Sequence, residues 1–441
     1  MAHSLYRTVK LNKDLGSYLP AFFIMEVSFP FGQRYNSMSN LPVRGQDISI
    51  FVHEYIHFLQ DISTYAGLNN AYVYSEYIHA AVNLVYDLAP NNNNEFNVPL
   101  VIPYNYCNIE LNKQVNSVGI GSLKQLDIFI PSKISEKSIK VKYSNPFVKY
   151  LTAVYVKGCN GIKLQFGNRA IMESMAYLIE RMITNGAGTA PDFPYSSAEI
   201  VVDLTYPEFG KEKLNIIALC DMSLQFSEPG KVFYHSLIDF KNMHFIPSKP
   251  EDIVDYFYNK PCVQMGNSNS LVSGFTEMAL MVGSRLKEYL KGKEFKSFYN
   301  VIHRLLGFAI DMRINHRYFF INLVRDGYAS DNKTLNNTIR TIGSPIIIDS
   351  LKDIWLVLPF GVKSKEYNIE IFSAISELNK LFEKGNDCCE MYDWCQKSPD
   401  TIEDNRCIFE PWSRCYDQKL CPYALLWRHW NLGKYTPIIN N

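Results

Sequence analysis

Residues 47–64 read DISIFVHEYIHFLQDIST, and this stretch limits the fold more than any other. His53, Glu54 and His57 sit in a run otherwise dominated by Ile, Phe, Val and Leu. Apolar Ile50, Phe51, Ile56, Phe58 and Leu59 predict a helix over 47–64 that is buried, with Asp47 or Ser49 as its N-cap. Residues four apart on a helix project from one face. Both imidazoles therefore point at one place, with Glu54 beside it. Such a helix must be enclosed, so the chain has to build a core around it. With 441 residues, 47% of them hydrophobic, it can bury one large core or two ordinary ones.

Charge and composition narrow the partners. Forty-four basic and forty-four acidic residues cancel, so the basic excess of a nucleic-acid binder is missing and no nucleic-acid partner is expected. The first twenty residues lack a basic start followed by an apolar core, which predicts no secretory signal. No apolar run reaches the roughly 18 residues of a membrane span. The expectation is a soluble cytoplasmic protein with reduced cysteines.

Two histidines four apart can grip one ion, and the intervening Glu54 is suited to take a proton from water activated there. Zinc in such a setting polarises a scissile carbonyl and lowers the pKa of water toward ~7. In these residues, HEYIH at 53–57, the chain resembles the zincin metallopeptidases, whose shared signature is this helix. A glycine and third histidine shortly after the motif are absent, so the resemblance is to the gluzincin type. There a Glu from a downstream helix completes the site. The resemblance implies His53 and His57 as ligands of Zn2+ and Glu54 as general base. The helix expected over 169–183, NRAIMESMAYLIERMI and its flank, offers Glu173 as third ligand on a stripe formed by Ile171, Met175, Leu178 and Met182. Glu180, seven residues on, is an alternative ligand or an acceptor for a ligand histidine. Glu277 is a further alternative. The preceding segment LTAVYVKGCNGIKLQFG reads as a hairpin turning at Asn160-Gly161, either plain sheet or a strand lining the cleft.

The letters EYIH recur at Glu76–His79, on a helix expected at about 69–88. Two Glu-x-x-His pairs with Glu173 and Glu180 spell a di-iron site, but His53 has no place in that scheme. Glu76 and His79 are therefore expected to belong to an ordinary helix. Further helices are expected at 271–291, 295–325 and 367–384, with 184–268 more irregular.

Ten cysteines divide unevenly. Cys107, Cys159, Cys220 and Cys262 are scattered and read as small buried hydrophobes. Cys388, Cys389, Cys395, Cys407, Cys415 and Cys421 crowd the tail without a C-x-x-C. Four of them are expected to converge on a second, structural Zn2+, with His429 able to replace one. An iron–sulfur cluster, free thiols or disulfides are the alternatives.

The combined reading is an α+β fold with a mostly helical zincin-like core and a small sheet over 1–385. A cysteine-rich module would follow over 386–441. Its expected function is zinc-dependent hydrolysis of an intracellular protein or peptide, for example as a specific regulatory, defence or toxin protease. Tyr234, His235, His244 and His316 are candidates for stabilising the oxyanion. The competing reading is a binding or regulatory protein with structural metal sites only.

Overall fold

The computed structural model of the protein describes residues 16–34, 47–103, 109–142, 148–184, 190–259, 270–397 and 404–439. Cys107 and Cys262 lie outside them. The fold is α+β and mostly helical. The strands are β1 Gly16–Leu19, β2 Ile24–Val27, β3 Glu95–Val98, β4 Pro131–Lys142, β5 Val148–Gly158, β6 Lys163–Phe166, β7 Ile346–Ile348, β8 Ile354–Trp355 and β9 Thr436–Ile439. They form three small sheets, ordered β1-β2-β7-β8, β3-β9 and β4-β5-β6. The main helices are α1 Asp47–Ser63, α2 Tyr65–Leu88, α3 Asn168–Ile183, α4 Leu271–Tyr289, α5 Lys296–Asn315, α6 Glu370–Lys384 and α7 Pro422–His429.

Helix α1 is the axis of the molecule. All of its residues except Asp47 and Ile50 are buried, because α3, α5 and β1 pack around it. Its C-terminal end is fixed by Arg313 of α5, itself 1% exposed. The guanidinium donates from Nε to the Ser63 carbonyl at 2.7 Å and makes a two-pronged contact with Asp221 at 2.8 and 2.7 Å. A paired, fully hydrogen-bonded charge is tolerated at this depth, whereas either partner alone would cost several kcal/mol. Asp61 ties α1 to the first hairpin. Its Oδ2 accepts from the Ala21 N–H at 2.7 Å and from the Tyr18 hydroxyl at 3.0 Å. That contact holds the β1–β2 turn, in which Ala21 and Phe23 adopt positive φ. The sheet is completed from far along the chain, β2 pairing in parallel with β7.

The hairpin expected at Asn160-Gly161 is β5–β6, with Val154 opposite Phe166 and Gly161 at φ +80°. Two expectations need correction. The stretch 295–325 is two helices, since α5 ends at Asn315 and a separate helix runs over Phe319–Arg325. The region 184–268 holds several helices, among them Lys213–Ser223, whose residues from Asn215 onward are all buried. A helix buried on every side carries no amphipathic period to read.

The described residues after 386 contribute side chains to the core of the rest of the chain. Helix α7 packs on α6, Trp427 is fully buried, and β9 lies parallel to β3 with Thr436 opposite Glu95. Among the described residues no helix is long and apolar enough to cross a membrane.

Candidate metal centre

Helices α1 and α3 run against each other with their polar groups turned inward. Ser49 and Thr184 meet at 3.0 Å at one end of the contact, and the Gln60 side chain donates to the Met172 carbonyl at 3.0 Å at the other. Between these fixed points His53, His57 and Glu173 converge, each less than a tenth exposed. The two Nε2 atoms are 3.2 Å apart, and Glu173 Oε2 lies 3.4 Å from His53 Nε2 and 3.3 Å from His57 Nε2. Ligands at about 2.0–2.1 Å from a tetrahedral centre stand roughly 3.3–3.4 Å from one another. The donor set therefore has the spacing that one ion requires.

The remaining imidazole nitrogens are also held. His53 Nδ1 is 3.1 Å from Glu180 Oε2, and His57 Nδ1 is 2.8 Å from Gln60 Oε1. With protons on both Nδ1 atoms, both Nε2 lone pairs face the shared point. Glu180 thus stands behind a histidine and not in the donor set. Burial alone would lower the pKa of His53, but hydrogen bonds to Glu173 and Glu180 outweigh it and raise it well above 6.5. Burial works the other way on Glu173, yet His57 and His53 bring it down to about 2.

Glu54 lies beside this set and is 3% exposed. Burial pushes its carboxyl up to about 7 against the pull of His53 and His57. Its Oε2 is buried and has no hydrogen-bond partner among the described residues. The backbone of β1 closes over it: a Cβ on Gly16 would come within 2.8 Å of Glu54 Oε1. Tyr195, on the short helix Asp192–Tyr195, brings its ring centroid to 5.7 Å from that of His53. Its hydroxyl is pushed up by burial and by the charges of Glu173 and Glu54. Tyr195 was not legible as a site residue, because DFPYSS carries no periodic or motif signal and its proximity is purely tertiary.

Other expected site residues lie elsewhere. Glu277 is exposed. Glu76 accepts from the Tyr289 hydroxyl at 2.7 Å and faces Arg285, while His79 stacks on Tyr289 with centroids 4.1 Å apart. These groups join α2 to α4 and leave the di-iron arrangement unformed. His235 pairs with Glu136 and His316 with Asp311 at exposed positions. Neither they, Tyr234 nor His244 line the cleft beside the centre. That cleft takes Tyr18 and Leu19 from β1 and nothing from the β5–β6 hairpin.

Of the six sulfurs on which a thiolate zinc site was expected, those of Cys389, Cys407, Cys415 and Cys421 lie in the buried core. Among the described residues, His53, His57 and Glu173 are the one set of three or more His, Cys, Asp or Glu donors within 4.8 Å of one another, so no three of the six tail sulfurs meet that spacing. Apolar burial and local hydrogen bonds tie this region to the rest of the chain. The Cys389 N–H donates to the Cys407 carbonyl at 2.9 Å, Arg414 donates to Cys407 Sγ at 3.2 Å, and Cys421 Sγ caps α7 through the Ala424 N–H. His429 packs on Phe295. Of the scattered cysteines, Cys220 is buried and Cys159 is exposed, contrary to the buried reading of both.

No family model, curated protein or solved structure matches the chain.

Proposed function

We propose that His53, His57 and Glu173 hold a zinc ion and that the protein hydrolyses peptide bonds with Glu54 as general base. The observation that carries this reading is the mutual spacing of 3.2, 3.3 and 3.4 Å among three buried donors, combined with a carboxylate oxygen on Glu54 that has no partner among the described residues. Zinc bound there would supply Lewis acidity toward the scissile carbonyl and lower the pKa of water. Glu54 stands beside the donor set, and its burial pushes the carboxyl up, the direction that suits a general base at neutral pH. Glu180 and Gln60 hold the histidine tautomers. The Tyr195 ring lies 5.7 Å from that of His53, and its hydroxyl, kept protonated by burial and by the charges of Glu173 and Glu54, is a candidate donor to an oxyanion.

A polypeptide substrate is favoured by the space next to the centre. Tyr18 and Leu19 line both the cleft beside His57 and a larger groove of about 750 Å3. The proposed setting is cytoplasmic, with a protein or peptide as substrate and no nucleic acid. The test is Glu54→Gln, assayed on a mixture of synthetic peptides by mass spectrometry. The variant should keep its zinc and lose cleavage by about 10²–10⁴-fold. Equal cleavage by the variant and the wild type, or none by the zinc-loaded wild type, would contradict the proposal.

A further inference from the structure

Arg169 lines the cleft beside the metal centre together with Tyr18, His57, Asn168 and Glu173. It is 5% exposed. One nitrogen, Nη1, donates to the carbonyls of Ser122 at 3.2 Å and Lys124 at 3.5 Å, which fixes the guanidinium in place. Its Nε is fully buried and has no hydrogen-bond partner among the described residues. A buried donor left unmet costs on the order of 1–3 kcal/mol. Glu173, the nearest acid along the helix, is engaged with both histidines.

The position of Arg169 sharpens the question. It is the second residue of α3, whose N-cap Gly167 supplies no side chain. The first turn of a helix presents its own positive end and favours anions, so a buried cation there is unfavourable by itself. An anion bound between the guanidinium and the helix terminus would satisfy both.

Resting on the peptidase reading above, we propose that Arg169 forms a subsite for a substrate carboxylate next to the scissile bond. A guanidinium matches a carboxylate with two parallel N–H donors. Arg169 and Glu173 are four apart on one helix, which places their Cβ atoms about 5–6 Å apart. A carboxylate held by Arg169 therefore belongs to the residue at the metal centre or to its neighbour. The carboxylate comes either from the C-terminus of a peptide or from an Asp or Glu side chain beside the cleaved bond.

The test uses calorimetry on the zinc-loaded full chain with three probes: N-benzoylglycine, its amide, and the α-amide of N-benzoylglutamate. One of the two carboxylate probes should bind at least tenfold more tightly than the amide, and Arg169→Gln should reduce that ratio to within twofold. Equal binding of the amide and both carboxylate probes by the wild type overturns the proposal. So does a ratio that survives Arg169→Gln, because the carboxylate would then sit on the metal alone. If Arg169→Gln does not fold, Arg169→Lys, which keeps the charge but not the fork, should lower the ratio at least threefold, and an unchanged ratio overturns the proposal equally. An Arg169-dependent gain for the glutamate probe identifies an acidic side chain as the ligand, and its absence identifies the chain terminus. These readouts involve no turnover. Failure of the Glu54→Gln comparison would remove the peptidase reading and leave this subsite to stand or fall on its own ratios.

Discussion

Gly16 has no side chain, and Glu54 occupies the space where one would be. A Cβ there would stand 2.8 Å from Glu54 Oε1 and 3.0 Å from Ile50 Cγ2. The carboxylate is the more mobile neighbour, so Gly16→Ala should displace the base and leave the histidines in place. Zinc content is expected to stay at the wild-type level while peptide cleavage falls roughly tenfold to a hundredfold. Unchanged cleavage would show that the position of Glu54 is unimportant. Asp61 supplies a pH test. Burial pushes its carboxyl from 3.8 to about 7, despite the donors Ala21 N–H and Tyr18 hydroxyl and the nearby His57. Between those values the folded chain keeps a proton that the unfolded chain has released. The Asp61 contribution to stability therefore falls as pH rises from about 4 to about 7 and is constant above it. Asp61→Asn has no such proton, so denaturant titrations at pH 5 and pH 8 should show a smaller loss for the variant than for the wild type. An equal loss would assign the slope to other groups. Glu173 was legible in the sequence because a carboxylate on an apolar helix demands a partner. Tyr195 and Gly16 were not, since their roles depend on distances between remote segments.

At the scale of elements, α3 presents two acids two turns apart to one histidine. Glu173 reaches the shared point and Glu180 stands behind His53 Nδ1. Glu180→Gln keeps an acceptor but removes the charge that makes the imidazole a better donor to metal. Zinc affinity, measured by competition with a chelator, should fall about tenfold or more. No change would mean that Glu180 only packs. The pairing of α1 and α3 was readable from helical period and motif, and the β5–β6 hairpin from its Asn-Gly turn. The sheet beside the site was not, because β7 has only three residues and meets β2 across more than three hundred positions of sequence. Lys213–Ser223 escaped for a different reason, its burial on every side.

At the scale of the whole molecule, one hydrophobic core joins residues from Tyr18 to Tyr435. Cys389, Cys407, Cys415 and Cys421 belong to that core, and no three of the six tail sulfurs lie within 4.8 Å of one another. The Arg313–Asp221 pair and the Asp61 bridge clamp α1 at its C-terminal half and onto the first hairpin. The centre is thus held by elements drawn from both halves of the chain. The most direct measurement of the central claim is elemental analysis of the purified full chain after zinc loading and desalting. Wild type should retain one zinc per chain, while Glu173→Ala and the double variant His53→Ala, His57→Ala should each retain close to none with their folds intact by circular dichroism. Zinc retained equally by the folded variants, or none retained by the wild type, would contradict the account.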